Sequence, residues 1–527
     1  MLVGQGYQIV HNTRHAPIEF GKDVIAIAPD GAVCAFQLKG NPGTRLTLTQ
    51  FREIQFQLNE LVSLAINIPG IAEGIQHRAF LVTNGEIDEE THTAIERFNQ
   101  GFVNLGQPER KLQIIARGTL LSWARELGEA LWPSELSDLN ALLELMIFDG
   151  KENLPLAKIH SLLVRNLRLR PEDKSFGSLA SFRRHVTSSA LILSLSIRAF
   201  QQEKNHYAIM GAWLFYSVYT LASCEKWGHS PDEVAANLQI SNDAIFLSLQ
   251  NLANETLERK FLIEGDALVD AAFFRQRYTL LVALISLYWF WAKHLDWLTL
   301  EAETAIEKFL PRNHQLHSLW GEAAVPQFLI HLWYICETSS SNEYGYYLAS
   351  LTTALIELNS TPNPSTNLAS PYYAFDDILR HQLAGTLFDA ADDIIREDSF
   401  AGSTYYALPL LHLLVRTNLK RECKRIWPDF SKMASREFCP SPRWAYYMWR
   451  TDFGENILHQ HKSTKEWDEL VTEACDCSAS EIPEHLKQQP FLFMLFVILC
   501  PHRGTPSAIR KLGRQFCTTW FIPAPIE

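Results

Sequence analysis

Residues 21–39 read Gly21-Lys22-Asp23-Val24-Ile25-Ala26-Ile27-Ala28-Pro29-Asp30-Gly31-Ala32-Val33-Cys34-Ala35-Phe36-Gln37-Leu38-Lys39. Two apolar or β-branched runs, 24–28 and 33–39, flank a turn signal in which proline presets φ and glycine accepts a positive φ. The stretch predicts a β-hairpin. With Pro29, Asp30 and Gly31 as a three-residue loop, Ala28 faces Ala32, and the same register sets Asp23 directly opposite Gln37. Opposed residues share a face, with Cβ atoms about 4.5–5.5 Å apart. Lys39 joins them, because side chains two apart on a strand point the same way. A loop one residue shorter would destroy the alignment.

The face that carries Asp23 continues with Ile25, Ile27, Val33 and Ala35, and the opposite face carries Val24, Ala26, Ala28, Cys34, Phe36 and Leu38. Both are apolar, which predicts a central hairpin covered on both sides. An acid and an amine at the end of such a strand pair need a reason, since isolated charges are costly to desolvate. One reason is an Asp23–Lys39 ion pair, which implies no chemistry. The other is a site.

The chain that follows alternates in kind. Leu48 to Ile66 reads as an amphipathic helix, His77 to Thr83 as a strand, Glu89 to Phe102 as a helix, and Leu112 to Ala116 as a short strand with a helix through Leu131. Gln8-Ile9-Val10 reads as a strand before the hairpin. In residue type, order and spacing, Gly21-Lys22-Asp23 and Gln37-Leu38-Lys39-Gly40 within this β-β-α-β-α-β order resemble the restriction endonuclease-like superfamily, the PD-(D/E)xK nucleases. The likeness is greatest to the Mrr-type branch, in which glutamine replaces the second acid to give QxK. It covers residues 4 to about 125.

The resemblance implies an α/β nuclease domain that hydrolyses phosphodiester bonds in nucleic acid, most of all duplex DNA, with Mg²⁺ or Mn²⁺. Asp23, Gln37 and Lys39 would be the catalytic residues. Asp23 would supply an anionic oxygen ligand, and Gln37 and the main chain of Leu38 carbonyl oxygens. Lys39 would orient or activate the attacking water and offset charge developing at phosphorus. Many relatives carry a further acid on a helix before the first strand, whereas Met1 to Tyr7 contain none. Glu19 is the nearest acid, a candidate ligand or a solvated loop carboxylate.

Thr49 and Gln50 sit where a helix N-terminus can bind phosphate, although N-capping explains them as well. Lys22, Arg45 and Arg52 are candidate phosphate contacts. Residues 1–134 hold 11 basic and 14 acidic side chains, so a DNA surface would be a local patch.

The whole chain has 527 residues, 47% hydrophobic and 20% charged, with a net charge of −12. It is long enough for two to four domains with ample cores, and its charge argues against indiscriminate nucleic-acid binding. The first residues lack the basic flank and apolar core of a signal peptide. Nine cysteines without framework spacing fit reduced thiols in a cytosol. Cys475-Asp-Cys477 with Cys500-Pro-His502 is a weak zinc pattern.

Past Trp132-Pro133-Ser134 the pattern becomes helical, with expected helices over 141–148, 156–167, 178–202, 208–227 and 232–253. No fixed period emerges, so degenerate helical repeats and a helical bundle both remain open. Tyr207 to Cys224 and Tyr278 to Ala292 are uncharged, near the length of about 18 residues that spans a membrane. Their hydroxyl-bearing residues and the Lys293 stop favour buried helices. Asn359 to Pro371 reads as a linker, with helices expected again over 374–397 and 405–426. The division is thus a nuclease domain over 1–131 and all-α regions over 135–358 and 371–527. Arg443 to Arg450 interleaves arginines with aromatics, suited to stacking or to a core stripe with charged edges.

Two expectations follow. In one, the first domain cuts DNA while the helical remainder senses a protein partner or activating ligand and restrains cleavage, as suits prokaryotic antiviral defence. In the other, an inactive nuclease-like domain belongs to an interaction scaffold. A homodimer would suit cutting of two strands.

Overall fold

The hairpin forms in the expected register. In the computed structural model, β2 (Val24–Ile27) and β3 (Val33–Lys39) pair antiparallel with Val24 opposite Phe36 and Ile27 opposite Val33. The loop closes through Ala28 N–H to the Ala32 carbonyl at 2.8 Å, with Asp30 accepting from Ala32 N–H at 3.1 Å and Gly31 at φ +83°. The positive φ at Gly31 is the conformation that glycine adopts without strain. Described are residues 2, 5–12, 21–40, 45–66, 71, 74–126, 136–259, 271–310, 319–338, 343–360, 368–373, 402–449, 454–476, 478 and 481–517.

The remaining N-terminal elements are β1 (Gln8–Asn12), β4 (Arg45–Leu46), α1 (Leu48–Ser63), β5 (Arg78–Thr83), β6 (Glu86–Ile87), α2 (Glu89–Asn104), β7 (Leu112–Ile115) and α3 (Arg117–Glu126). They build a five-stranded sheet in the order β1-β2-β3-β5-β7, antiparallel through β3 and parallel from β3 to β7. β4 and β6 form a separate parallel pair. The hairpin is central, and each face has its own core. Ile25, Val33 and Ala35 pack with Phe51, Leu58 and Leu61 of α1 and with Ile95 of α2, while Val24, Ala26, Cys34 and Phe36 pack with Phe80 and Ile115. This follows the alternation of the two strands.

The helices begin where capping chemistry permits. Thr47 caps α1 with a reciprocal box, its hydroxyl accepting from Gln50 N–H while the Gln50 side chain accepts from Thr47 N–H. Asp88 caps α2 by accepting from Thr91 N–H, and the Thr91 hydroxyl donates to the Leu46 carbonyl, tying α2 to β4.

The chain divides into two compact units. The first comprises Met1–Phe148, Pro155–Ala199 and Trp227–Ile240, and the second Asp149–Leu154, Phe200–Lys226 and Ser241–Glu527. Helical segments thus belong to the first unit as well, and both flanks of the 359–371 segment lie in the second. Helices appear at Leu136–Met146, Leu156–Asn166, Leu179–Ser196, His206–Trp227 and Ala235–Glu258. The helix expected over 405–426 is two, Ala407–Arg416 and Lys420–Phe430, parted where Asn418 takes φ +59°. The segment 374–397 lies outside the described residues.

The all-α expectation for the later region is corrected. β8 (Ser403–Thr404), β9 (Ala434–Cys439) and β10 (Glu455–Gln460) form a three-stranded sheet in the order β10-β9-β8. These short strands lack a clean apolar alternation, so no period of two announces them. The expectation of reduced thiols throughout is also corrected, since Cys336 and Cys517 are disulfide-bonded. The apolar run 208–224 is buried almost throughout within His206–Trp227. Among the described residues, no helix is long and apolar enough to cross a membrane.

Candidate functional site

The site grows out of Gly21, which holds φ +71°. A Cβ there would lie 2.3 Å from the Gln57 carbonyl oxygen of α1 and 3.4 Å from Gln37 Oε1. Only a residue without a side chain lets the strand pass this close to the helix backbone. Lys22 follows and is buried, with its ammonium donating to the Glu60 carbonyl at 3.4 Å. His77 Nε2 meets the neighbouring Leu61 carbonyl at 2.7 Å. Both engage the last turns of α1, where the Glu60 carbonyl also accepts from Leu64 N–H at 3.0 Å and the negative end of the helix dipole favours a cation. Burial lowers the Lys22 amine to about 8.

Asp23 is half-buried at the open end of the hairpin. Its N–H continues the ladder to the Phe36 carbonyl at 2.8 Å, and its Oδ2 accepts from Gln37 Nε2 at 2.8 Å and from Leu38 N–H at 2.5 Å. The first of these bonds fixes the Gln37 amide, because a carboxylate accepts and never donates. Gln37 Oε1 is thereby turned away from Asp23. It is buried, and among the described residues no donor reaches it. Gln37 as a whole is 5% exposed, so this is an acceptor withdrawn from water and left unmatched, a situation that native interiors rarely tolerate.

Lys39 ends β3 half-buried, beside Thr83 in the parallel register with β5. Strand parity sets it on the face of Asp23 and Gln37. Among the described residues, no hydrogen bond or ion pair involves its ammonium. The Asp23–Lys39 pair is therefore not what closes the hairpin; the Asp23 bonds to Gln37 and Leu38 do that. The Leu38 side chain is 47% exposed.

Gln50 is engaged in the α1 capping box, and Thr49 and Arg52 are exposed on α1. Arg45 pairs with Glu86 at 3.5 Å, both side chains well exposed. Glu19 and Cys477 lie outside the described residues. Cys500 and His502 are buried, the latter stacked on Tyr372. Among the described residues, no group of three or more His, Cys, Asp or Glu is arranged to hold a metal ion. The aromatic run forms a 3₁₀ turn, Arg443–Tyr447, that buries Trp444, Tyr446 and Tyr447, while Arg443 pairs with Glu225 at 3.1 Å. It is a core stripe with a charged edge.

What the sequence did not reveal is the anchoring of α1 by Lys22 and His77 and the role of Gly21 as a spacer beside Gln37. A glycine just before a strand that carries polar residues was the available signal. No family model, no curated protein and no solved structure matches the chain.

Proposed function

We propose that the first unit is a metal-dependent nuclease that hydrolyses phosphodiester bonds, with duplex DNA as its substrate, as the resemblance to restriction endonuclease-like proteins of the QxK type implies. The observation that carries the reading is the Gln37 carbonyl oxygen, buried and unmatched beside the Asp23 carboxylate on the face that Lys39 shares. The Gln37 amide meets Asp23 through its nitrogen, and a turn of that amide would bring the orphaned oxygen beside the anionic one, a pair that fits Mg²⁺ or Mn²⁺. Asp23 and Gln37, with the main-chain carbonyl of Leu38, would hold the ion, and the ion would supply Lewis-acid charge to the scissile phosphate. One carboxylate and one amide make a site of low charge, which DNA phosphate would help to complete.

Lys39 does the remaining work. Its ammonium orients the attacking water and offsets negative charge that develops on the phosphate oxygens. Arg52 on the exposed side of α1 is the candidate phosphate contact with the least competition from protein partners. The helical remainder restrains or targets the cut in an antiviral defence role.

A second reading has its own observation. Because Asp23 Oδ2 takes both Gln37 Nε2 and Leu38 N–H, the cluster also serves as a structural clasp in an inactive scaffold. Incubating supercoiled plasmid with Mg²⁺ or Mn²⁺ separates the two. The nuclease reading expects cleavage by wild type and a loss of about 100-fold or more in Asp23→Ala and Lys39→Ala. Cleavage that survives both substitutions removes the assignment, and absence of cleavage in every condition leaves the scaffold.

A further inference from the structure

The second unit ends its small sheet on an open edge. β10 pairs with β9 on one side only, through six consecutive pairs from Glu455 opposite Cys439 to Gln460 opposite Ala434, with no bulge. All six residues of β10 are exposed, including Ile457 at 37% and Leu458 at 55%. Edge strands offer unpaired N–H and C=O groups, and proteins blunt them with proline, lysine, bulges or cover. Glu-Asn-Ile-Leu-His-Gln contains no proline or lysine, and its register is regular. This edge has none of those safeguards among the described residues.

One face of the strand is complementary to itself. Two copies related by a two-fold axis normal to the sheet pair residues of equal parity, so that opposed side chains stay on one face. Centred on Ile457, that pairing sets Ile457 against Ile457 of the second copy and Glu455 against its His459, twice. Glu455, Ile457 and His459 share a face, which gives an apolar centre flanked by two acid–imidazole pairs. On the other face Asn456, whose side chain accepts from the Tyr372 hydroxyl at 2.8 Å, meets Leu458. His459 already lies 3.5 Å from Glu437 of β9, and that contact holds its ring on this face.

We propose that β10 is a homodimerisation edge, joining two copies of this chain into a continuous antiparallel sheet centred on Ile457. The proposal is independent of the nuclease reading. The test measures the mass of the full-length chain by light scattering at micromolar concentration, with circular dichroism as a check on folding. Wild type should run at twice the 60.2 kDa chain mass. Ile457→Lys and Ile457→Glu should each run as monomers, since each sets like charges face to face. Mixing the two should restore a dimer, because lysine then opposes glutamate at the centre. A monomeric wild type, a dimer that persists in Ile457→Lys, or a mixture that stays monomeric overturns the proposal.

Discussion

Glu322 in the second unit and Asp23 in the first are both gripped by amide donors, yet the two surroundings differ in what they leave undone. Glu322 is 1% exposed. Its Oε1 accepts from Asn359 Nδ2 at 2.8 Å, and its Oε2 from Thr404 Oγ1 at 3.2 Å, Tyr405 N–H at 2.7 Å and Tyr406 N–H at 2.8 Å. Every donor turned on it is matched, and the cluster ties three segments of the second unit together. At the hairpin end, Asp23 is half-buried and the amide it orients keeps a buried carbonyl oxygen without a donor. A saturated buried acid is what a fold uses to hold itself, whereas an unmatched acceptor on the amide beside a half-open acid is the feature on which the proposed ligand site rests.

The largest expected effect tests the saturated side. Glu322→Ala strands four donors in the interior and should cost about 3–5 kcal/mol of stability in the second unit, read by denaturant unfolding. A loss under about 1 kcal/mol would remove the contrast. Next is pH. Burial pushes the Glu322 carboxyl up to about 7, against the pull of its four donors, whereas in the unfolded chain it titrates near about 4.3. Folding therefore binds a proton between those values, so the contribution of Glu322 to the stability of the second unit is complete below about pH 4 and falls by up to about 3 kcal/mol as pH rises to 7. Glu322→Gln should flatten that slope, as measured by unfolding across the window.

On the hairpin side, Gly21→Ala forces a Cβ against the Gln57 carbonyl at a positive φ. It should cost the first unit about 2 kcal/mol and, on the proposed nuclease reading, slow cleavage by shifting Gln37. A melt indistinguishable from wild type would show that the close approach relaxes freely.

The two regions were also unequally legible in sequence. Pro29-Asp30-Gly31 dictated the loop length, the loop dictated the register, and the register brought Asp23 opposite Gln37, because all of that information is local. The faces of β2 and β3 followed from alternation. The helix starts at Leu48 as its pattern predicted, and Thr47, not Thr49, is the cap because Gln50 three residues on closes the box. Glu322 gave no warning, since its donors come from residues 37 to 84 positions away and a lone glutamate in Gly321-Glu322-Ala323-Ala324 has no pattern. β9 and β10 were silent because six short residues with mixed polarity carry no period. Long-range polar partners and short strands are set by tertiary context, which local periodicity does not encode.

The proposal that the Gln37 carbonyl oxygen is kept for a ligand is tested by the unfolding free energy of the first unit in Gln37→Leu, a substitution of similar size that removes both the unmatched oxygen and the Nε2 donor to Asp23. The expected loss is no more than about 1 kcal/mol, because removal of the unmatched oxygen is neutral to favourable and offsets part of the lost Nε2 bond to Asp23. A loss of about 2 kcal/mol or more, the signature of a structural clasp, would contradict it.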